Sequence, residues 1–126
     1  MDKPTLAIII PCYNEELCVK TTVTTLLNLL DKLIEKGKIK PNSYLYLVDD
    51  GSKDKTWSII VSLNQADKRV KALKFIRNFG NQKALIAGLE GVRCIGCDCA
   101  VSIDADLQQD ENSIEEFIDE YMKGAD

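Results

Sequence analysis

The stretch TLAIIIPCYNEE, residues 5–16, is an apolar run that meets Pro11 and passes directly into polar residues. Short continuous apolar runs bounded by turn-forming residues are typical of strands buried on both faces. Such strands occur mainly in parallel sheets that helices cover on both sides. The stretch therefore predicts a strand over 5–10, with polar side chains at its carboxyl end.

The same pattern recurs along the rest of the chain, where apolar runs alternate with segments of helical periodicity. Asn14 and Asp54 are residue types that cap helices, and each stands just before such a segment. The predicted strands cover 44–48, 70–76 and 98–103, and the predicted helices cover 15–36, 55–66, 82–92 and about 112–123. This alternation predicts a Rossmann-like three-layer α/β/α fold with a mainly parallel sheet.

Composition limits the classes of function. The 126 residues are 45% hydrophobic and 29% charged, which suits one globular domain, and the net charge of -4 argues against a nucleic-acid partner. The chain contains no His, so acid–base or metal chemistry needs other side chains. The N-terminus lacks the pattern of a signal peptide and no apolar run is long enough to span a membrane, so we expect a cytoplasmic location.

The chain ends directly after a predicted helix, where a parallel fold normally returns to another strand. We therefore expect residues 1–126 to be a single domain that is cut short at its C-terminal end. A cut sheet exposes an edge strand, and exposed edges pair with other copies. We expect self-association through that edge.

Each predicted strand is followed by a polar cluster: PCYNE, DDGS, RNFGNQ and DADLQQD. Because the carboxyl ends of parallel strands share one edge, the four clusters should converge there. Ligands of open α/β sheets bind outside that edge. The sequence thus predicts one composite site built from four distant segments.

Asp104 and Asp106 stand two residues apart at the end of a predicted strand, so in extended geometry their side chains point the same way. Two carboxylates, with the Gln108 amide nearby, suit a hard cation such as Mg²⁺ or Mn²⁺. The alternative is a solvated acidic loop before the last helix. The position after a buried strand, beside three other clusters, favours the metal site.

The remaining clusters carry further candidate ligands. Asp49 and Asp50 can accept hydrogen bonds from a base or ribose, although Asp-Gly is also an ordinary turn. Tyr13 offers a ring for stacking and Glu15 an acceptor. Two basic residues, Arg77 and Lys83, either meet phosphate or are simply solvated.

Three of the five cysteines lie close together in sequence, at Cys94, Cys97 and Cys99. A zinc site needs four ligands, usually in two spaced pairs, and the other two cysteines, Cys12 and Cys18, are distant. We therefore predict that these cysteines are small buried hydrophobic residues rather than metal ligands.

Four stretches, IIIPCYNEE, VDDGSKDKT, RNFGNQKALIAGL and SIDADLQQ, resemble in order and spacing the N-terminal half of family 2 glycosyltransferases. The nearest resemblance is to polyprenyl-phosphate (dolichol-phosphate) mannosyl- and glucosyltransferases, and it covers residues 5–126. It implies a GT-A fold whose N-terminal half binds a nucleotide-sugar, a UDP- or GDP-hexose.

The resemblance also assigns roles to individual residues. It implies that Pro11, Tyr13 and Glu15 contact the nucleoside and that Asp49 and Asp50 hold base and ribose. Asp104 and Asp106 match the Asp-x-Asp motif that holds Mg²⁺ or Mn²⁺ on the diphosphate, and Gln108 matches a third ligand.

Such enzymes invert the anomeric centre, and a lipid phosphate is the acceptor in the resembling branch. The acceptor groove and its catalytic groups lie beyond the matching region in that family. The full-length protein is then expected at the cytoplasmic face of the membrane. For this chain alone, the alternative is donor binding without transfer.

Three other classes share features of the sequence. A nicotinamide-binding domain would need G-x-G-x-x-G after the first strand, where PCYNEE stands. A P-loop would need Lys and Ser or Thr at Cys97 and Asp98. A phosphoacceptor receiver domain is the remaining alternative, although its Asp pair should follow the first strand rather than the second.

Overall fold

The computed structural model describes residues 3–105 and 112–123 and forms four strands and four helices within them. In chain order these are β1 (Leu6–Cys12), α1 (Val19–Glu35), β2 (Tyr44–Asp49), α2 (Thr56–Ala66), β3 (Val70–Lys74), α3 (Asn81–Ile95), β4 (Cys99–Ser102) and α4 (Asn112–Met122).

The four strands form one sheet in the order β3-β2-β1-β4, and every pairing is parallel. This arrangement confirms the predicted α/β class. The order matches the start of the doubly wound 3-2-1-4 sheet and differs from the 2-1-3 order of receiver domains. The receiver alternative is therefore wrong. Strands β3 and β4 lie at the two edges, and self-association through such an edge stays a prediction.

Side chains of β1 alternate between two apolar cores, because successive residues of a strand face opposite sides of the sheet. Ile8 and Ile10 pack in the larger core, which α1, α2 and α4 cover. Ile9 packs in the smaller core beneath α3. All three side chains are at most 1% exposed. Burying each such side chain contributes roughly 1.5–3 kcal/mol, so β1 anchors both layers.

Two glycines let α3 approach the sheet closely. A Cβ atom on Gly88 would lie 2.5 Å from Cγ2 of Ile9, and one on Gly91 would lie 2.4 Å from the Tyr46 ring. Neither position has room for a larger residue without moving the strand side chains beneath. This close packing fixes the middle of α3 against β1 and β2.

Helix α1 begins four residues later than the prediction from residue 15. Asn14 does not cap it, because its backbone is left-handed (φ 53°) and its Oδ1 accepts the Lys53 N–H at 2.8 Å. Asn tolerates this conformation better than most residues. The residues predicted to open the helix instead join the loop after β1 to the loop after β2.

Strand β3 is shorter than predicted, ending at Lys74 rather than Ile76. The Phe75 N–H still bonds the Asp49 carbonyl at 2.8 Å, but Ile76 is 93% exposed. Helix α3 runs three residues beyond its predicted end at Val92. Within the described ranges, no helix has the length and apolar character needed to cross a membrane.

Candidate functional site

A cleft of about 480 Å³ lies at the carboxyl edge of the sheet, where the four polar clusters were predicted to meet. Its described lining comes from the segments that follow all four strands, which confirms the convergence. The lining residues are Pro11, Cys12, Tyr13, Glu15, Asp50, Asn78, Gly80, Asn81, Asp104 and Ala105.

Asp104 contributes an exposed carboxylate to this cleft just after β4. The residues on either side of it are held: the Ile103 N–H donates to the Ile9 carbonyl at 2.9 Å, and Ala105 is buried. The other two predicted metal ligands, Asp106 and Gln108, lie outside the described residues. Of the three predicted metal ligands, only Asp104 can therefore be placed in the cleft.

The loops after β1 and β2 are joined by hydrogen bonds into one wall. The Asn14 N–H donates to Ser52 Oγ and the Glu15 N–H to Thr56 Oγ1, each at 2.8 Å. Tyr13, between these contacts and Pro11, keeps 39% of its surface exposed. The wall thus presents an aromatic ring and the Glu15 side chain to the cleft on a fixed backbone.

Asp50 lines the cleft, yet its carboxylate already accepts hydrogen bonds from the loop after β3. Its oxygens receive the Phe79 N–H at 2.7 Å, the Gly80 N–H at 3.0 Å and Asn78 Nδ2 at 3.1 Å. Its main function in the fold is therefore to fix that loop. Asn78 and Asn81, which this loop brings to the cleft, were missed as candidates, although the polar RNFGN cluster was the signal for them.

Gly51 explains how the loops after β2 and β3 approach each other. Its φ is 72°, and a Cβ atom there would lie 2.2 Å from the Arg77 carbonyl carbon. Only glycine accommodates both the left-handed conformation and the close backbone contact. Gly51 therefore has the left-handed backbone that Asp-Gly dipeptides favour, and it lets the loop after β3 pack against the loop after β2.

Asp49 does not line the cleft. It is fully buried, one carboxylate oxygen accepts the Ser52 hydroxyl and N–H, and Oδ2 is the buried side-chain atom left without a hydrogen-bond partner among the described residues. Burial, and then the Asp49 and Glu15 carboxylates, raise the pKa of the neighbouring Cys12 thiol. Of the two aspartates predicted to contact the nucleoside, only Asp50 reaches the cleft.

The two basic residues considered for phosphate binding both pack on Phe79. The Arg77 guanidinium lies 4.4 Å from the ring centroid and the Lys83 ammonium 5.7 Å from it. Neither is among the cleft residues. The described lining therefore contains three carboxylates, from Glu15, Asp50 and Asp104, and no Lys or Arg.

This charge distribution fits a divalent cation. A bare diphosphate would be repelled by the carboxylates, whereas a hard cation prefers oxygen ligands and bridges both. In residues 3–105 and 112–123, no three His, Cys, Asp or Glu side chains come close enough to hold a metal. Asp104 would thus supply one ligand of a site whose other predicted ligands fall in the stretch between those ranges.

The cysteines only partly follow the prediction of burial. Cys99 is buried, Cys97 is half-buried and Cys94 is exposed, because α3 extends through Cys94 to Ile95 on the surface. All five thiols are free. Burial is the main cause that raises the pKa of Cys99 to about 11.

A family model described as glycosyl transferase family 2 matches residues 7–126. The chain therefore belongs to glycosyl transferase family 2, the class that its four motifs resemble.

Curated relatives match along nearly the whole chain. The uncharacterized glycosyltransferase YkoT of Bacillus subtilis (strain 168) is 43% identical over 124 residues, covering 98% of this chain and 36% of its own length. The bactoprenol glucosyl transferase of Shigella phage SfV is 34% identical over 122 residues, covering 96% of this chain and 36% of the relative. The chain thus spans about a third of the length of these relatives.

Solved structures share the fold. The mannosyltransferase PcManGT from Pyrobaculum calidifontis, in complex with GDP-Man and Mn²⁺, superposes with a TM-score of 0.63 at 21% identity, covering 89% of this chain and 30% of that one. TarS 1-349 of S. aureus, in complex with UDP, gives a TM-score of 0.60 at 23% identity, covering 97% and 33%. The fold is that of GT-A glycosyltransferases.

Proposed function

We propose that residues 1–126 form the nucleotide-sugar-binding part of a longer inverting glycosyltransferase, and that donor binding depends on a divalent cation. The observation that carries this proposal is the cleft at the carboxyl edge of the sheet. Its described lining combines three carboxylates with an accessible tyrosine and contains no Lys or Arg. A nucleoside diphosphate needs a positive partner in such a cleft, and a bound metal ion supplies it.

The residues divide between two walls. Pro11, Tyr13 and Glu15, on the joined loops after β1 and β2, hold the nucleoside, and Asp50 supports the opposite wall through its contacts to Phe79 and Gly80. Asp49 holds the Ser52 turn behind the cleft.

Asp104, with Asp106 and Gln108 from the adjoining stretch, holds Mg²⁺ or Mn²⁺. When bound, the metal offsets the negative charge that develops on the departing nucleoside diphosphate.

The donor and acceptor are proposed from the relatives. The name of the bactoprenol glucosyl transferase supports a hexose donor and a bactoprenol-type lipid acceptor for the full-length protein. We propose further that the acceptor is a polyprenyl phosphate and that transfer takes place at the cytoplasmic face of the membrane. The ligands of the two fold neighbours, GDP-Man with Mn²⁺ and UDP, support a GDP- or UDP-hexose. The acceptor-side catalytic groups are assigned to the part of those relatives that lies beyond this match.

Titration calorimetry on the 126-residue chain tests the proposal. UDP and GDP are each titrated with Mn²⁺, with Mg²⁺ and with EDTA, and the folded state is checked by circular dichroism. We expect binding of one nucleotide only when a divalent cation is present. Equal affinity in EDTA, or no binding by a folded sample with either nucleotide, would contradict the proposal.

A further inference from the structure

We propose that the carboxyl end of β3, the loop after it and the start of α3 form a contact surface for membranes that contain anionic lipids. The surface consists of Lys74, Ile76, Arg77 and Lys83, and we call it the basic patch. None of these four residues lines the described part of the cleft. The proposed function assigns no residue of this chain to lipid contact, and the inference does not depend on donor binding.

The charge of the chain is distributed unevenly around the basic patch. Residues 68–89 contain six of the 16 basic residues and none of the 20 acidic residues, although the net charge of the chain is -4. Arg69 forms ion pairs with Asp31 at 2.7 Å and with Asp67 at 2.9 Å. The other five basic residues of 68–89 form no ion pair with any residue that the structure describes. Their charge is therefore available to an external anion.

The three cations of the basic patch lie against aromatic rings and are exposed to solvent. The Arg77 guanidinium and the Lys83 ammonium lie 4.4 and 5.7 Å from the centroid of the same ring, that of Phe79. The Lys74 ammonium lies 5.9 Å from the centroid of the Trp57 ring. Since Arg77 and Lys83 share one ring, two like charges stand close together and repel each other. An anionic surface placed over them would offset that repulsion.

Exposed isoleucines stand beside these cations. Ile76 is 93% exposed next to Arg77, and Ile86 is 59% exposed one helical turn after Lys83. On proteins that bind membrane surfaces, apolar side chains enter the boundary between headgroups and acyl chains, while Lys and Arg meet the lipid phosphates. A nucleic acid or an acidic polypeptide would bind the cations but leave Ile76 in water. The combination therefore favours a lipid surface.

The fold presents the basic patch on a fixed backbone. Asp50 accepts the N–H groups of Phe79 and Gly80, and Phe75 packs edge-on against Phe79 with 5.4 Å between the ring centroids. Asp50 itself is only 4% exposed, so its carboxylate lies beneath the loop rather than beside the cations. A preordered surface loses little conformational entropy on binding. Because salt screens charges beyond roughly 8 Å, a bilayer at this surface senses the patch more than the acidic residues elsewhere.

Co-sedimentation with sucrose-loaded vesicles measures the affinity. The buffer contains EDTA and no nucleotide, so that neither a metal nor the donor takes part. One set of vesicles contains phosphatidylcholine alone, and the other contains phosphatidylcholine and phosphatidylglycerol in equal amounts. We expect the wild type to bind the anionic vesicles more tightly by a factor of about ten or more, and added salt to weaken that binding.

Two variants separate the charged part of the basic patch from its apolar part. Arg77→Gln combined with Lys83→Gln removes two charges, and we expect the affinity for anionic vesicles to fall about fivefold for each. Ile76→Ser removes the apolar side chain, and we expect a loss of about tenfold. Circular dichroism checks that each variant is folded. If the double variant does not fold, Lys83→Gln alone replaces it, with an expected loss of about fivefold.

Matched changes outside the basic patch serve as controls. Lys20→Gln combined with Lys32→Gln removes the same charge from exposed positions of α1, which covers the other side of the sheet from α3. Leu17→Ser removes a side chain that is 94% exposed, as Ile76 is, but that follows two glutamates in the sequence. Both controls should keep the wild-type affinity for anionic vesicles within about twofold.

Three results would overturn the inference. The first is no binding of the folded wild type to anionic vesicles, or equal binding to phosphatidylcholine alone. The second is an equal loss in the α1 control, which would assign the effect to the net charge of the chain. The third is an unchanged affinity in Ile76→Ser, which would assign the patch to a polyanion such as an acidic polypeptide. Because these samples contain neither metal nor nucleotide, such results leave the proposed function untouched, and only the calorimetric titration contradicts it.

Discussion

Asp50 and Asp104 line the same cleft, but their carboxylates have different roles because their surroundings differ. Asp50 is 4% exposed and accepts three hydrogen bonds from the loop after β3. Asp104 is exposed on a backbone fixed by its neighbours. One carboxylate is therefore part of the scaffold, and the other is presented for a ligand.

This difference predicts effects of different size for the same chemical change. Asp50→Asn places an amide N–H₂ where two backbone N–H groups need acceptors, so we expect it to lower the free energy of unfolding by about 2 kcal/mol. Asp104→Asn should change that free energy by less than about 0.5 kcal/mol, as for most surface substitutions. Urea denaturation of both variants in EDTA measures the difference. Equal stability of the two variants would refute the division of roles.

At the residue scale, the sequence was sufficient where local geometry decides. The position directly after an apolar strand placed Asp104 at the cleft, and the Asp-Gly dipeptide indicated the left-handed backbone at Gly51. The sequence was insufficient where hydrogen-bonding or packing partners come from distant segments. The burial of Asp49 and the hydrogen bonds that tie Asp50 to the loop after β3 both depend on tertiary register, which no local pattern records.

At the scale of elements, the loops that follow the strands are joined to one another by hydrogen bonds. Asn14 was predicted to cap α1 and residue 15 to open it, but the amides of residues 14–16 donate to Ser52 and Asp54 of the loop after β2 and to Thr56 at the start of α2. Helical periodicity cannot detect such a contact, because it counts Leu17 as part of the apolar face although Leu17 is 94% exposed just before α1. The helices and strands were therefore predictable as such, but their ends near the cleft were not.

The attachment of α4 to the end of α1 makes stability depend on pH. The Lys38 and Lys36 ammonium groups lower the pKa of Glu115 from 4.5 to about 2. Because the folded state favours the carboxylate, the stability that Glu115 provides is complete above pH 4.5 and is lost as the pH falls towards about 2. We expect the melting temperature of Glu115→Gln to fall less across that window than the wild-type value.

Thermal melts between those two pH values provide the measurement, with Glu116→Gln as the matched control. Glu116 is the adjacent exposed acid on the same helix. The control should keep the wild-type pH dependence. If the melting temperature of Glu115→Gln falls as steeply as that of the wild type, the ion pairs with Lys36 and Lys38 do not govern the acid sensitivity of this helix.

For the whole molecule, the order β3-β2-β1-β4 explains how four short motifs become one site. The central pair β1 and β2 brings the loops that carry Tyr13 and Asp50 together, and β4 adds Asp104 beside β1. The alternation of strands and helices was enough to predict this convergence, since parallel strands share their carboxyl edge. The strand order itself was not predicted and came only from the fold.

The central claim is that a nucleotide-bound divalent cation sits at this edge, and paramagnetic broadening by Mn²⁺ locates it directly. Amide signals of the ¹⁵N-labelled chain are recorded with saturating UDP or GDP while Mn²⁺ replaces Mg²⁺ in small steps. We predict that the signals of Glu15, Asp104 and Ala105 disappear first, while those of Ser43 and Cys99, at the opposite ends of their strands, persist. Early broadening at Ser43 and Cys99, or none at Asp104 in a folded sample, would contradict the account.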